Sequence, residues 1–299
     1  FPEHDAYSLY ELYATSLRLS NIGYKNQEAA LLNVSYDSLD AYVSTLYHAT
    51  RTPYPPNEAL GVYVNGQNRQ LNANLLQFEN EYYGSIRPKR IPQYGERPLA
   101  ALGRGGGQYV ELRSLDVNAF EPTGVNEAEL RFLEAFLLFC MLQESPPLDI
   151  REKAEAAENQ TTVAHRGRQP GLTLRNNGQE VAFHDWASTT MTLIADVGAL
   201  LDAGLPSTPY TNAVRSLQES VHVPASTPSA RVLHEMETHD ETFFQFARRM
   251  ADQHREQLDS HPLSSDRHQY LNEVSDKSRR EAAVLASESN ESFEAYVAG

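Results

Sequence analysis

Within GRGGGQYVELRSLD (103–116) a carboxylate and a guanidinium stand two residues apart, Glu111 and Arg113. A carboxylate can hold a hard divalent cation, and an arginine can clamp a phosphoryl group through its planar fork of donors. From Gln108 onward the residues alternate, which predicts a β-strand. Val110 and Leu112 point to one side, and Tyr109, Glu111 and Arg113 to the other. Side chains two apart on a strand are separated by roughly 6.6 Å along its axis, so both charged groups can address one ligand. The same spacing equally suits a solvated ion pair worth about 0–1 kcal/mol. The residue types leave both readings open.

Other stretches carry comparable groups. LLQFENEYY (75–83) reads as a second two-faced strand, with Leu76, Phe78 and Tyr82 on one side and Gln77, Glu79, Glu81 and Tyr83 on the other. SIRPKR (85–90) packs Arg87, Lys89 and Arg90 together, either as a basic surface turn or as a phosphate contact. Alternation over Ala14–Ser20 sets Leu17 and Leu19 opposite Ser16 and Arg18 as a further strand, and Gly23 then opens a turn carrying Tyr24. Taken alone, Arg18 and Tyr24 are most simply a surface pair.

Two polar-faced strands joined by loops predict an antiparallel sheet with one face on helices and the other lining a cleft, an α+β architecture. Helical segments are expected to supply the cover. Ser35, Tyr36 and Asp37 precede an apolar stripe of Leu39, Tyr42, Val43, Leu46 and Tyr47 that Pro53 ends. GVYVNGQNRQLN (61–72) carries an Asn-Gly pair between short runs, a hairpin signal. Asn126 is placed to cap Glu127–Leu142. RGRQPGLTL (166–174) reads as loop then strand, and further helices are expected near 185–201, 209–221, 228–258 and 265–287. Pro209 and Pro228, each after a threonine, suit the first helical position.

The formal net charge of −15 argues against nucleic acid or an anionic membrane as partner. No window approaches the roughly 20 apolar residues of a membrane span. One cysteine, Cys140, in an apolar run excludes an intrachain disulfide, suits a reducing compartment and predicts a buried small hydrophobe. GRGGG precedes its strand and lacks a Gly-Lys-Ser/Thr ending, so it is neither a dinucleotide fingerprint nor a Walker loop. In HEMETH (234–239) the histidines are five apart, where zinc on one helix face needs four.

Four of these stretches, YATSLRLSNIGY (13–24), ENEYYGSIRPKR (79–90), GGQYVELRSLDVNAFEPTGVNEAELRFLE (106–134) and GRQPGLTL (167–174), together resemble the bacterial glutamate–cysteine ligases. The resemblance runs from near residue 7 to about 174 and fades in the helical tail. It implies a glutamine-synthetase-like α+β fold whose antiparallel sheet lines an active-site funnel, with residues 1–180 in the catalytic domain and 181–299 a helical region packed on it. It implies a cytoplasmic enzyme that uses ATP and Mg2+ to phosphorylate the γ-carboxylate of L-glutamate, after which the amine of L-cysteine attacks the acyl phosphate, the first step of glutathione biosynthesis. By motif, Glu111 is the expected magnesium ligand and Arg113 the phosphoryl contact. Arg18, Tyr24 and Tyr83 are the expected amino-acid contacts, the two tyrosines around cysteine, and Glu79 and Glu81 are further candidates for the metal. In the family an amino-terminal segment with more acidic ligands precedes the motif at residue 13. The chain therefore resembles the carboxyl-terminal part of such an enzyme, expected to be inactive without that segment. Two other readings compete: a related ligase with another amine acceptor, and a non-catalytic paralogue that binds amino acid or nucleotide.

Overall fold

The computed structural model describes residues 3–6, 8–23, 32, 34–288, 292, 293 and 295. Its architecture is α+β, with helices predominating and, among the described residues, the strands in four antiparallel pairs. The pairs are β1 (Glu3–Asp5) with β2 (Ser8–Leu9), β3 (Tyr63–Val64) with β4 (Gln67–Asn68), β5 (Ile86–Lys89) with β6 (Tyr109–Leu112), and β7 (Thr173–Asn176) with β8 (Gln179–Ala182). The β3–β4 hairpin turns at Asn65–Gly66, both at positive φ, as an Asn-Gly two-residue turn requires.

The first core surrounds α1 (Leu39–Ala49), whose Tyr42, Leu46 and Ala49 are buried with Leu32, Leu76, Leu99 and Leu102. Leu99 and Leu102 belong to α3 (Pro98–Gly105), and a short α2 (Pro55–Leu60) precedes the β3–β4 hairpin. Ser38 caps α1 by accepting the Ala41 N–H, not Ser35, whose hydroxyl instead pairs with Asp37. The second core joins α4 (Glu127–Leu142) to α6 (Phe183–Asp202) and α7 (Pro209–His222), through Ala135, Met191, Ile194 and Val214. Asn126 caps α4 in a reciprocal box with Glu129, as the sequence predicts. The third core is Met236, Phe246 and Met250, packed under Phe120. It lies between α8 (Pro228–His239) and α9 (Phe243–Asp259), and α10 (Ser265–Glu288) follows with no buried residue.

Several expectations give way. Residues 75–83 do not form a strand: Leu76 dives into the α1 core and Glu79–Glu81 close a 3-10 turn. Core burial and turn formation override the alternation there. Residues 14–20 form no strand: the amides of Thr15, Ser16 and Arg18 bond to distant segments, and those of Leu19 and Ser20 close a local turn. The glycine run splits, with Gly103 and Gly105 ending α3 and Gly106 leaving it at φ 74°. The helix expected over 228–258 breaks at Asp240, which adopts the left-handed conformation, and Thr242 recaps it. An additional helix, α5 (Ile150–Arg166), fills the stretch before the 166–174 loop. Cys140 is exposed, on the side of α4 away from Ala135. Among the described residues no helix is long and apolar enough to cross a membrane.

Candidate active site

The site is built on β5 and β6. Their register pairs Ile86 with Leu112, Arg87 with Glu111, Pro88 with Val110 and Lys89 with Tyr109. Backbone bonds from Gln108 N–H to Lys89 and from Arg113 N–H to Ser85, each 2.8 Å, extend the ladder at both ends. Directly opposed residues share a face, and residues two apart return to it. One face therefore carries Arg87, Lys89, Glu111 and Arg113. The charged face follows the sequence alternation. The other face is only half covered: Leu112 is partly buried while Val110 is exposed, so a full aliphatic backing is absent at that end.

Glu111 has a covered Oε2 that takes no hydrogen bond, and its nearest ion partner is Lys89 Nζ at 3.9 Å. Across from it, Arg87 is 7% exposed, and its Nε also lacks a hydrogen-bond partner. Arg87 Nη2 donates to Asn80 at 3.3 Å, and the guanidinium bonds to the Tyr42 hydroxyl. Buried Tyr42, partly buried Tyr82 and exposed Tyr36 form an aromatic floor, with ring centroids 5.5 Å apart for Tyr36–Tyr42 and 6.4 Å for Tyr42–Tyr82. The Tyr36 hydroxyl donates to the Ile86 carbonyl at 2.9 Å and meets the Tyr82 hydroxyl at 3.1 Å. Desolvation pushes all three phenols above the ordinary tyrosine range, and for Tyr42 the nearby Arg87 opposes that rise. The phenols of the floor are thus neutral, and Arg87 on it retains an Nε donor without a hydrogen bond.

Arg113 lies with its guanidinium carbon 5.2 Å from the centre of the Tyr83 ring. Arg18 reaches the same strand from far along the chain, its Nε donating to the Arg113 carbonyl. Glu111, Arg113, Arg18 and Tyr83 are therefore brought together, while Tyr24 lies outside the described residues. Glu79 and Glu81 serve local structure: Glu79, buried, accepts the Leu99 N–H at 3.4 Å in the first turn of α3, and Glu81 accepts the Gln77 N–H at 2.6 Å.

The aromatic floor and Arg87's burial escape sequence reasoning. Tyr36, Tyr42 and Tyr82 come from separate segments, and periodicity marks Tyr42 only as one more apolar helix position. For a metal, no three His, Cys, Asp or Glu side chains converge among the described residues. Glu111 Oε2, which takes no hydrogen bond and faces only Lys89 at 3.9 Å, nevertheless suits one hard donor to magnesium, which is commonly held by one or two carboxylates, waters and substrate phosphates.

Comparisons with known proteins agree with the motifs. Residues 1–163 match the family model for glutamate–cysteine ligase. The chain is 43% identical over 295 residues to a glutamate–cysteine ligase from Pseudomonas entomophila (strain L48), covering 99% of this chain and 56% of that protein. To the corresponding ligase of Alcanivorax borkumensis it is 42% identical over 306 residues, covering 58% of that protein. The chain thus spans little more than half the length of these curated relatives. Among solved structures, a glutamate–cysteine ligase from Francisella tularensis in complex with AMP superposes with a TM-score of 0.84 at 33% identity, over 95% of this chain and 56% of that one. A bifunctional glutathione synthetase from Pasteurella multocida shares the fold, with a TM-score of 0.61 at 22% identity over 85% of this chain and 28% of that one. With its first 163 residues matched by the family model and 43% identity to a curated ligase over 99% of its length, the chain belongs to the glutamate–cysteine ligase family.

Proposed function

We propose that this chain carries the β5–β6 wall of an ATP-dependent ligase that joins the γ-carboxylate of L-glutamate to the amine of L-cysteine. The observation that carries the reading is the shared face of β5 and β6. Arg113 lies beside Tyr83, and Glu111 keeps one covered oxygen without a hydrogen bond. A transferring phosphoryl group spreads negative charge over its oxygens, so catalysis rests on positioning and on fixed positive charge. Arg113 supplies that charge at the phosphoryl group moving to glutamate, and Arg87 and Lys89 add to the positive field of the same face. Glu111 would hold magnesium, which when bound neutralises the phosphate oxygens. Arg18 orients an amino-acid substrate, and Tyr83 and Tyr24 border the cysteine. The resulting γ-glutamyl phosphate is then attacked by the cysteine amine, releasing phosphate.

The AMP bound to the Francisella relative supports a nucleotide site in the family fold. In this reading residues 1–180 form one side of an active-site funnel in a cytoplasmic enzyme, with 181–299 packed behind. The remaining acidic metal ligands come from a segment corresponding to the part of the relatives that this chain does not span. The test is ATP-dependent γ-glutamylcysteine formation by the full gene product, native and Arg113→Ala. Native activity that falls by about 100-fold or more in the variant is the expected result, matching the loss of one transition-state charge contact. A native gene product that forms no product with glutamate, cysteine and MgATP overturns the reading.

A further inference from the structure

We infer that Asp116, three residues beyond Arg113, is a positioning residue that sets Arg18 beside Arg113 for the amino-acid substrate. The inference rests on the proposed role of Arg18 as a substrate contact.

The geometry is specific to one carboxylate. Asp116 Oδ1 accepts the backbone N–H of Arg18 at 2.9 Å, and Oδ2 accepts the Ser16 hydroxyl. Ser16 Oγ in turn accepts the Leu19 N–H at 3.0 Å, and Ser20 Oγ donates to the Leu17 carbonyl at 2.7 Å. Residues 16–20 are thus a closed turn with two of its donors directed onto Asp116. The turn's entry is held from another side. Thr15 N–H bonds to the Ala164 carbonyl at 2.9 Å, and Arg168 N–H bonds to the Tyr13 carbonyl at 3.1 Å. Past the turn the Asn21 N–H meets His165 Nε2 at 3.5 Å. Between these anchors Asp116 fixes the backbone of Arg18 to the β6 segment, and the Arg113 carbonyl accepts from its guanidinium.

Asp116 thus fixes the turn from the β6 side through hydrogen bonds to the Arg18 N–H and the Ser16 hydroxyl. Its action goes through Arg18, so it should govern amino-acid binding selectively. Loss of charge-assisted hydrogen bonds of this kind corresponds to about 10-fold or more in affinity.

The experiment is calorimetric titration of the full gene product with L-glutamate and, separately, with MgATP, together with amide hydrogen exchange over residues 16–19. Asp116→Ala should weaken glutamate binding about 10-fold or more, leave ATP binding within about twofold, and speed exchange of the Arg18 amide. Asp116→Asn, which keeps an acceptor for the Arg18 N–H, should recover most of the affinity. Ser16→Ala removes one donor and should give a smaller effect of the same selectivity, should Asp116→Ala fail to fold. Native-like glutamate affinity in both Asp116→Ala and Ser16→Ala, or equal loss of glutamate and ATP binding, overturns the inference. A native protein that binds ATP and not glutamate overturns the assigned role of Arg18, and one that binds neither overturns the proposed function. In both cases the Arg18 exchange rate still reports whether Asp116 holds the turn.

Discussion

Arg87 and Glu111 stand directly opposite each other on β5 and β6, and each keeps one buried atom, Nε and Oε2, without a hydrogen-bond partner. Arg87 also bonds Asn80 and Tyr42 and is almost wholly buried. A planar guanidinium meets these directions at once, and a lysine ammonium on a longer stem does not. Arg87→Ala should therefore lower unfolding free energy by about 1–3 kcal/mol, through lost packing and the unpaired Tyr42 and Asn80 groups. Arg87→Lys should recover less than half of that. Urea denaturation followed by tyrosine fluorescence measures both, and a neutral Arg87→Lys would contradict the geometry.

The cap of α4 is the second point of leverage. Asn126 accepts the Glu129 N–H at 2.8 Å, and Glu129 returns a bond to the Asn126 N–H at 2.8 Å. Asn126→Ala should cost about 1 kcal/mol, whereas Asn126→Ser, which keeps a capping oxygen without setting a carboxylate against Glu121, should cost less. Equal losses in the two variants would mean that the cap geometry is not the source of the stability.

Leu46 and Ile194, each 1% exposed, sit in separate hydrophobic cores with no residue in common. Each change to alanine should cost about 2–5 kcal/mol, from lost transfer free energy and the cavity left behind. In the double variant the costs should add within about 0.5 kcal/mol, as for sites with no shared partners. A larger coupling, read from equilibrium unfolding, would show that the cores communicate through the intervening helices.

Glu96 should titrate far below an ordinary glutamate. Arg104 holds it through paired bonds of 2.8 and 2.9 Å, and the Gln93 N–H adds a third. Together they lower its carboxyl from 4.5 to about 2. Because the folded value is the depressed one, any stabilisation is complete above the ordinary value of 4.5 and fades as pH falls through about 2. Carboxyl carbon shifts followed by nuclear magnetic resonance should place the midpoint near 2, and Arg104→Gln should return most of the shift.

Much of this was legible in the sequence where local rules act alone. Asn65–Gly66 specified a hairpin, Asn126 a helix start, and the alternation at 109–113 the charged face of β6. Where tertiary contacts compete, the local pattern misled. Alternation over 75–83 was real, yet Leu76 contributes more by entering the α1 core than by lying in a strand. Cys140 looked buried because its neighbours are apolar, but Ala135 marks the packed side of α4 and Cys140 faces away from it. Motif resemblance brought Glu111, Arg113, Arg18 and Tyr83 together as a set, which spacing alone could not do. The tyrosine floor and Asp116's grip on residues 16–18 depend on segments remote in the chain, and no window of sequence contains both halves.

That remoteness has a kinetic consequence. Arg18 meets Asp116 across 98 positions, and Thr15 meets Val163 across 148. Bringing such distant segments together carries loop-closure entropy before any contact repays it. During synthesis the 13–20 segment must wait for more than half of the described chain before its second anchor on α5 exists. The proposed substrate wall should accordingly order late, after the first core, whose buried members all lie within residues 32–102. A ligand that binds there would select for completed molecules, and would act as a checkpoint on folding as much as a reactant.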